Sequence, residues 1–114
     1  MPYVKIQVNH KLEPDQSREL LKLASQRVAK ELSKPESYVM VELTDNAAMI
    51  FAGTDAPAAM VELKSIGLPS VLNRPLSKMI SGLLNEQLGI EPSRVYVEFT
   101  DVTGSSWGWN GATF

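Results

Sequence analysis

Two different hydrophobic periods predict a strand and then a helix in the first third of the chain. Apolar and polar residues alternate over residues 4–8, which is typical of a strand with one buried face. After Pro14, apolar residues recur at steps of three and four, the pattern of an amphipathic helix. These positions are Leu20, Leu23, Ala24, Val28 and Leu32. The helix is expected to end at Lys34-Pro35, and residues 38–44 are predicted to form a second strand.

The second half of the chain repeats this order of elements. Residues 59–63 alternate as a strand, a longer helical stripe follows, and residues 95–99 alternate again. The stripe consists of Leu72, Leu76, Met79, Ile80, Leu83, Leu84 and Leu88. Pro75 would remove an interior hydrogen bond from a helix that began at Ser70. The helix is therefore expected to begin nearer Asn73, which places Pro75 in the tolerant first turn.

The two halves are copies of one unit. When the sequence is aligned with itself at an offset of 56 residues, 11 of the 28 positions from 18 to 45 are identical. Chance at average composition would give about two identities. Each copy consists of a strand, a helix and a strand. We therefore predict a single domain over residues 1–114, with an internal repeat of approximately 1–56 and 57–114.

Two βαβ units of this length predict an α+β fold with a four-stranded mixed sheet. Right-handed crossovers place both helices on one face of such a sheet. Since we expect apolar residues on both sides of the strands, the other face should be covered by oligomerisation. The tail, residues 104–114, contains glycines and tryptophans and is predicted to form a short hairpin that reaches a neighbouring subunit.

The composition is that of an ordinary globular protein. The 114 residues are 44% hydrophobic and 21% charged, with a formal net charge of -2. The chain is too apolar for a disordered protein, and it lacks the basic excess that nucleic-acid binding needs, so no nucleic-acid partner is expected. The longest apolar stretch, residues 47–52, is far shorter than the roughly 20 residues of a membrane span. No membrane association is expected either.

The residue types that are missing exclude several kinds of chemistry. The sequence has no cysteine, which rules out disulfides, thiolate nucleophiles and cysteine-ligated zinc. His10 is the only histidine, and no carboxylates are spaced to complete a metal site with it. We therefore expect no metal. No secretory signal pattern precedes the first strand, so the expected location is the cytoplasm, with non-classical release as the open alternative.

Pro2 is the residue best suited to carry catalysis. Methionine aminopeptidases generally remove Met1 before a small second residue, and removal would leave Pro2 with a secondary amine at the start of a strand. Burial in an apolar pocket and a nearby lysine ammonium would lower the pKa of this amine towards neutrality. The amine would then act as a general base. From position alone, the alternative is that Pro2 merely begins a strand.

A family resemblance favours the catalytic interpretation. It is carried by Met1, Pro2, Lys34, Pro35, Tyr38, Met49, Phe51, residues 65–67, Asn73, Arg74, Ser77, Lys78, residues 82–84, Pro92, residues 94–96, Asp101, residues 108–110 and residues 113–114. With this pattern, the chain resembles the macrophage migration inhibitory factor family of the tautomerase superfamily over essentially its whole length. The resemblance implies a pair of βαβ repeats assembled as a homotrimer.

The resemblance also implies a reaction and the residues that carry it. The reaction is keto–enol tautomerisation of aromatic α-keto acids such as phenylpyruvate, and of dopachrome-like compounds, without a cofactor. Pro2 would transfer the proton. Lys34 would bind the carboxylate or the developing enolate oxygen, and the backbone N–H of Ile66 would donate a further hydrogen bond.

Aromatic residues would complete the pocket that the resemblance implies. Tyr96 of an adjacent subunit would hold the ring of the substrate, and Trp107, Trp109 and Phe114 would form an apolar wall. Each assignment has a simpler alternative that the sequence leaves open. Tyr96 would then simply pack within its strand, and the tryptophans would be interface residues only. Lys34 would be a solvated cation at a helix C-terminus.

Two departures from the family pattern change what is expected. Mammalian members have an asparagine two residues after the tyrosine, but this chain has Glu98, which shares a strand face with Tyr96. A carboxylate at the pocket mouth would repel an α-keto acid, so we expect Glu98 to weaken the activity. Alternatively, Glu98 is sheet surface that the repeat shares with Glu42. The Cys-x-x-Cys of some relatives is replaced by residues 58–61, which excludes thiol oxidoreductase activity.

Two other function classes stay open from the sequence. One is a cytokine-like protein that binds a protein receptor with little or no catalysis. The other is a ligand-binding or scaffold domain that has kept the trimer and lost the chemistry. Turnover of phenylpyruvate would distinguish the tautomerase from both.

Overall fold

A computed structural model describes the whole chain, residues 1–114. The helices and strands are β1 (Tyr3–Val8), α1 (Pro14–Leu32), β2 (Met40–Thr44), β3 (Ala59–Ile66), α2 (Asn73–Leu88), β4 (Val95–Val102), β5 (Gly108–Trp109) and β6 (Ala112–Thr113). Neither helix combines the length and the apolar character needed to cross a lipid bilayer.

The main sheet has four strands in the order β2-β1-β3-β4. Strand β1 is parallel to β2 and antiparallel to β3, and β3 is parallel to β4. This mixed sheet, with both helices packed on one face, confirms the predicted α+β fold. Strands β5 and β6 form a separate antiparallel hairpin, as predicted for the tail.

The core lies between the two helices and one face of the sheet. Its most deeply buried residues, each at most 1% exposed, are Val4, Ile6, Val8, Leu20, Val28, Ala59, Val61, Leu63, Leu76, Leu84 and Ile90. Helix α1 begins after Glu13, which forms a capping box with Gln16. Helix α2 begins at Asn73, so Pro75 falls in its first turn and the prediction for this start is confirmed.

The other face of the sheet, the polar face, carries a row of charged residues together with exposed apolar ones such as Met40 and Tyr96, so the expectation of apolar residues on both sides holds only in part. The strand register aligns four charged residues in one row across this face, in the order Glu42, Lys5, Glu62 and Glu98. Lys64 lies in the next row. A face with five charged side chains does not need an apolar partner to cover it. The charged residues therefore give no argument for oligomerisation, whereas the exposed Tyr96 at the far end of this face does.

The repeat recurs at the level of single hydrogen bonds. The backbone N–H of Leu12 donates to Asp45 Oδ2, and the backbone N–H of Leu68 donates to Asp101 Oδ1, both at 2.9 Å. The second pair lies 56 residues after the first. In each half, a carboxylate at the end of one strand thus holds the segment that leads from the neighbouring strand to its helix. The two aspartates, which are identical in the self-alignment, thus make the same bond in both halves.

The second predicted strand is shorter than expected at its start. Residues Glu36–Tyr38 form a 3-10 turn, and β2 begins only at Met40. The turn is closed by the N–H of Tyr38, which donates to the carbonyl of Pro35 at 3.1 Å. Because Tyr38 is not part of a strand, its side chain does not have to point to either face of the sheet. It turns towards the C-terminal hairpin.

Replacing Ser33 by glycine should stabilise the protein. Ser33 ends α1 with a left-handed backbone, φ 52° and ψ 44°, whereas the equivalent residue of the second half, Gly89, has φ 69° and ψ 20°. A residue other than glycine in the left-handed region lowers the free energy of unfolding by roughly 1–2 kcal/mol. Glycine avoids this strain, but it makes the unfolded chain more flexible, which lowers the free energy of unfolding by about 0.4–1 kcal/mol. We expect Ser33→Gly to raise the free energy of unfolding by about 0.5–1 kcal/mol in urea titrations.

The reciprocal substitution provides the matched control. A Cβ placed on Gly89 would meet no atom within 4 Å, so Gly89→Ser tests backbone conformation alone. It should lower the free energy of unfolding by a similar amount. Equal stability of the protein with serine or glycine at both positions would contradict the strain argument.

Candidate active site

Pro2 lies at the entrance to β1 and lines a cleft between the sheet and the C-terminal hairpin. Its ring is fully buried, and its carbonyl accepts a hydrogen bond from the N–H of Met40 at 3.0 Å. The cleft has a volume of about 590 Å³. We call it the Pro2 cleft; its walls are Met1, Pro2, Tyr3, Ser37, Tyr38, Val39, Met40, Lys64, Val102, Ser106, Trp107, Gly108, Trp109 and Phe114. A cleft of this volume can hold a small aromatic ligand.

The aromatic side of the cleft is built by the hairpin and the 3-10 turn that carries Tyr38. The rings of Trp109 and Phe114 stack at 5.6 Å between centroids, and both meet Tyr38 edge to face, at 5.6 and 5.9 Å. The N–H of Phe114 donates to the carbonyl of Trp107 at 3.2 Å. A Cβ on Gly104 would lie 3.1 Å from the carbonyl oxygen of Phe114, so glycine at this position allows the tail to close.

The hairpin therefore contacts its own subunit. Trp109 and Phe114 pack on Tyr38 of the same subunit, and a further contact of the tail with a neighbouring subunit stays a prediction. The cleft does contain the three aromatic residues that were assigned to its wall, namely Trp107, Trp109 and Phe114. Their contact with a substrate stays a prediction.

Lys34 is held next to the cleft by the end of α1. The left-handed turn at Ser33 lets the N–H of Lys34 donate to the carbonyl of Ala29 at 2.9 Å. The ammonium group then donates to Ser65 Oγ at 3.1 Å and to the carbonyl oxygen of Ile66. Burial lowers the pKa of Lys34, and the charge of Asp101 partly offsets this effect.

The pKa of the amine at the start of the chain is lowered, which is the direction that general-base catalysis needs. Burial lowers the pKa of the Met1 amine, and the positive charge of Lys34 lowers it further. Pro2 follows directly and lies deeper in the same wall. A terminal amine at Pro2 would meet the same two effects, desolvation and a like charge. Both favour the neutral, basic form of the amine near neutral pH.

Ile66 lies beside this arrangement but contacts Lys34 through its carbonyl oxygen. Neither Lys34 nor Ile66 belongs to the wall of the cleft. The expected donation from the Ile66 N–H to a substrate is therefore a prediction that the free subunit does not test. Ser65, the only buried polar residue in the chain, was not singled out from the sequence. It holds the lysine in place.

Tyr96 and Glu98 lie away from the Pro2 cleft of their own subunit. Tyr96 is level with Met60 of β3 and Gln7 of β1. Gln7 is five strand residues beyond Pro2, or roughly 16 Å at about 3.3 Å per residue. Glu98 lies on the polar face of the sheet and accepts a hydrogen bond from Thr100 at 2.6 Å. Only a second copy of the chain can bring these two side chains to the cleft.

Tyr96 instead belongs to a separate apolar depression of about 400 Å³. Its ring lies 4.6 Å from that of Phe51, between centroids. Arg94 organises the loop that carries Phe51, because its guanidinium donates to the carbonyl oxygens of Phe51, Thr54, Ala56 and Pro57 and lies 5.2 Å from the centre of the Phe51 ring.

Tyr38 and Lys64 line the cleft but were given no role there by the sequence analysis. Tyr38 was placed in a strand, so its contact with the hairpin was not foreseen. Lys64 lay just beyond the predicted strand, residues 59–63, whereas β3 extends to Ile66 and its alternation puts Lys64 opposite the core. No group of three or more His, Asp and Glu side chains is arranged to hold a metal ion. His10 lies in the loop after β1 and has a buried Nδ1 without a hydrogen-bond partner.

Comparison with known proteins gives a consistent result. Residues 1–114 match the family model described as Macrophage migration inhibitory factor (MIF). The macrophage migration inhibitory factor homolog of Brugia malayi is 43% identical, over 100% of this chain and 99% of that protein. A solved structure of a homologue from Prochlorococcus marinus has a TM-score of 0.93 and 38% identity, and the match covers 98% of both chains. A structure of a protein inactivated by 2-oxo-3-pentynoate has a TM-score of 0.87 and 25% identity, over 96% of this chain and 93% of that chain.

Proposed function

Because the chain belongs to the macrophage migration inhibitory factor family, we propose that it is a keto–enol tautomerase acting on aromatic α-keto acids such as phenylpyruvate. The observation that carries the proposal is the aromatic-walled cleft at the start of the chain, where burial and Lys34 lower the pKa of the Met1 amine next to Pro2. A structural relative is inactivated by 2-oxo-3-pentynoate, which is itself an α-keto acid. This supports the substrate class.

In the proposed reaction, Pro2 is the catalytic residue. Removal of Met1 gives its nitrogen a basic lone pair, which takes a proton from the carbon next to the keto group and leaves an enolate. The protonated amine then returns this proton to the enolate oxygen. The product is the enol, and the reverse transfer gives the ketone. Lys34 and the N–H of Ile66 would stabilise the negative charge that develops on that oxygen. Two of the three ammonium protons of Lys34 are already shared with Ser65 and Ile66, which leaves one for the substrate.

The active site is proposed to be shared between the subunits of a homotrimer. Within one subunit, the strand register separates Tyr96 from Pro2, so a neighbouring copy must supply the tyrosine. The depression around Tyr96 offers apolar surface for such contact, because Tyr96 is 63% exposed and Ile50 is 75% exposed. The strands at the two edges of the sheet, β2 and β4, also have unpaired backbone groups.

In this trimer, Glu98 would enter the neighbouring cleft together with Tyr96, since the two side chains share one face of β4. Its carboxylate would then repel an anionic substrate and favour the protonated form of the amine. We therefore propose that Glu98 lowers the activity relative to a protein with asparagine at this position.

The test of this function is direct. Protein with Met1 removed, as verified by intact mass, is mixed with phenylpyruvate, and the ultraviolet band of the enol is followed over time. We expect ketonisation faster than in buffer and saturation with substrate. A rate equal to that of buffer would overturn the tautomerase proposal. It would favour the second candidate, a cytokine-like binding protein, which the names of the relatives support.

Replacing Lys34 by methionine should move the acid limb of the kcat/KM profile to higher pH. The positive charge of Lys34 lowers the pKa of the Met1 amine, and we expect it to act in the same direction on the amine of Pro2. Its removal should therefore let the Pro2 amine keep its proton to higher pH. The base is active only when deprotonated, and the active form therefore appears later as the pH rises. Burial, the larger cause, remains, so the pKa should stay below its usual range. The measurement is kcat/KM for phenylpyruvate against pH.

Lys30 provides the control for this titration. It lies exposed in the last turn of α1, and its charge is not a cause of the amine shift. Lys30→Met should leave the acid limb in place. If both variants moved the limb equally, the effect would come from net charge and not from the position of Lys34.

A further inference from the structure

We propose that Asp101 is a positioning residue of the candidate site: its carboxylate fixes the segment that Lys34 bonds to and supplies a negative charge beside the ammonium of Lys34. The proposal deepens the tautomerase function and rests on it for the role of Lys34 towards the substrate. The family resemblance includes Asp101 in its pattern but implies no role for this residue. Its assignment comes from the register of β3 and β4, from the hydrogen bonds at their ends, and from a comparison of the two halves of the chain.

Asp101 lies beside the residue that holds Lys34. In the register of the two parallel strands, Asp101 of β4 is level with Ser65 of β3. Neighbouring strands lie roughly 4.8 Å apart and level residues share a face, so the carboxylate leaves the sheet on the same side as the Ser65 hydroxyl. This is the buried side, which carries the helices. The ammonium of Lys34 donates to the Ser65 hydroxyl at 3.1 Å, so Asp101 and Lys34 are both neighbours of Ser65.

The same carboxylate fixes the segment that leads from β3 to α2. Its Oδ1 accepts a hydrogen bond from the backbone N–H of Leu68 at 2.9 Å. One residue earlier, the N–H of Gly67 donates to the carbonyl of Val102 at 3.2 Å. These two bonds tie the segment to the end of β4 directly after Ile66, whose carbonyl oxygen accepts a hydrogen bond from Lys34. The aspartate therefore helps to fix the position of an oxygen that anchors the ammonium.

The charge of Asp101 opposes the effect of burial on Lys34. Burial lowers the pKa of Lys34, whereas the Asp101 carboxylate raises it. The other titratable group that interacts with Lys34 is the amine at the start of the chain. Neither of the two salt bridges in the structure joins Asp101 to Lys34, so the carboxylate acts at longer range. A direct ion pair would occupy the one ammonium proton that remains for a substrate.

The first half of the chain has the same aspartate without the lysine. Asp45 accepts a hydrogen bond from the N–H of Leu12 at 2.9 Å, as Asp101 does from its own partner. The residue 56 positions after Lys34 is Ile90, which is fully buried. The hydrogen bond is structural in both halves, whereas only Asp101 raises the pKa of Lys34. Asp45 is therefore a control at which the same bond is altered without an effect on the lysine.

The experiment follows the charge of Lys34 directly. Protein with Met1 removed is labelled with isotopically enriched lysine, and the Cε signal of Lys34 is recorded by NMR from neutral to alkaline pH at low ionic strength. The signal that is missing from Lys34→Met identifies it. The titration is repeated with Asp101→Asn and Asp45→Asn. Asparagine keeps an oxygen that accepts the backbone hydrogen bond but removes the charge.

We expect Asp101→Asn to lower the pKa of Lys34 below the wild-type value, because no carboxylate then opposes the effect of burial. Asp45→Asn should leave this pKa unchanged. In the phenylpyruvate assay, Asp101→Asn should also move the basic limb of the kcat/KM profile to lower pH, because Lys34 attracts an anion only while it is protonated. The acid limb should stay in place, since Asp101 is not a cause of the lowered pKa of the amine.

The proposal is overturned if Asp101→Asn leaves the pKa of Lys34 at the wild-type value, or if Asp45→Asn lowers it equally, which would assign the effect to net charge. Should Asp101→Asn fail to fold, the wild type is titrated in about 1 M NaCl, where screening of the exposed carboxylate should lower the pKa of Lys34. An unchanged pKa there would reject the proposal. A lowered pKa in Asp101→Asn, when the wild type fails to turn over phenylpyruvate, would support Asp101 and reject the tautomerase function.

Discussion

Protein that retains Met1 should tautomerise phenylpyruvate about 10² to 10⁴ times more slowly than protein that begins at Pro2. With Met1 attached, the Pro2 nitrogen is a tertiary amide without a basic lone pair. The methionine also lies in the wall of the Pro2 cleft and would occupy space that a substrate needs. The measurement is kcat/KM on two preparations of one sequence, with and without Met1, each verified by intact mass.

Pro2→Gly provides the control for this comparison. Glycine is also small enough for Met1 to be removed, so the variant keeps a terminal amine while losing the ring. Its activity should fall between the two wild-type preparations, because a primary amine can still accept the proton but lacks the buried ring that positions it. Similar activity with and without Met1 would show that the Pro2 nitrogen is not the base.

Replacing Arg94 by alanine should lower the free energy of unfolding by about 2–4 kcal/mol. The guanidinium donates to four carbonyl oxygens of the loop between β2 and β3, at 3.0 to 3.3 Å. The loss should be smaller than four separate bonds would suggest, because most of these contacts are exposed and all share one group. Urea unfolding measures the change. The loop should also lose its contact with Tyr96 through Phe51, which limited proteolysis would detect.

Two further variants separate the geometry of Arg94 from its charge. Lysine carries the same charge but cannot reach four carbonyls, so Arg94→Lys should remain destabilised by about 1–3 kcal/mol. Arg74 is an exposed arginine at the start of α2 that makes no side-chain hydrogen bond, and Arg74→Ala should change stability by less than about 0.5 kcal/mol. Full stability of the lysine variant would mean that charge alone explains the contribution of Arg94 to the free energy of unfolding.

The fold was accessible from the sequence because its signals are local and occur twice. The alternation around Val4 and Val61 and the helical stripes through Leu20 and Leu84 each point to one core face, and the structure buries all four residues. The start of α2 followed from the chemistry of one residue, Pro75. The 3-10 turn before β2 was missed because its cause is a backbone hydrogen bond to Pro35, which leaves no periodic pattern.

The candidate site was only partly accessible, because its residues come from distant parts of the chain. The resemblance pointed to Pro2, Lys34, Trp107 and Phe114, which the structure brings to one end of the sheet. It gave no reason to single out Lys64. That residue belongs to the cleft only because antiparallel pairing of β1 and β3 sets it beside Tyr3.

The sequence by itself determined the strands, the helices and the repeat, since hydrophobic period and proline chemistry act over a few residues. It also supplied the ring at Pro2 on which the proposed catalysis depends. Only the tertiary structure decided that one face of the sheet carries a row of charged residues, that Lys34 bonds to Ser65 and Ile66, and that Tyr96 lies far from Pro2 in its own subunit. These features depend on strand register and on contacts between distant segments, and no local pattern encodes either.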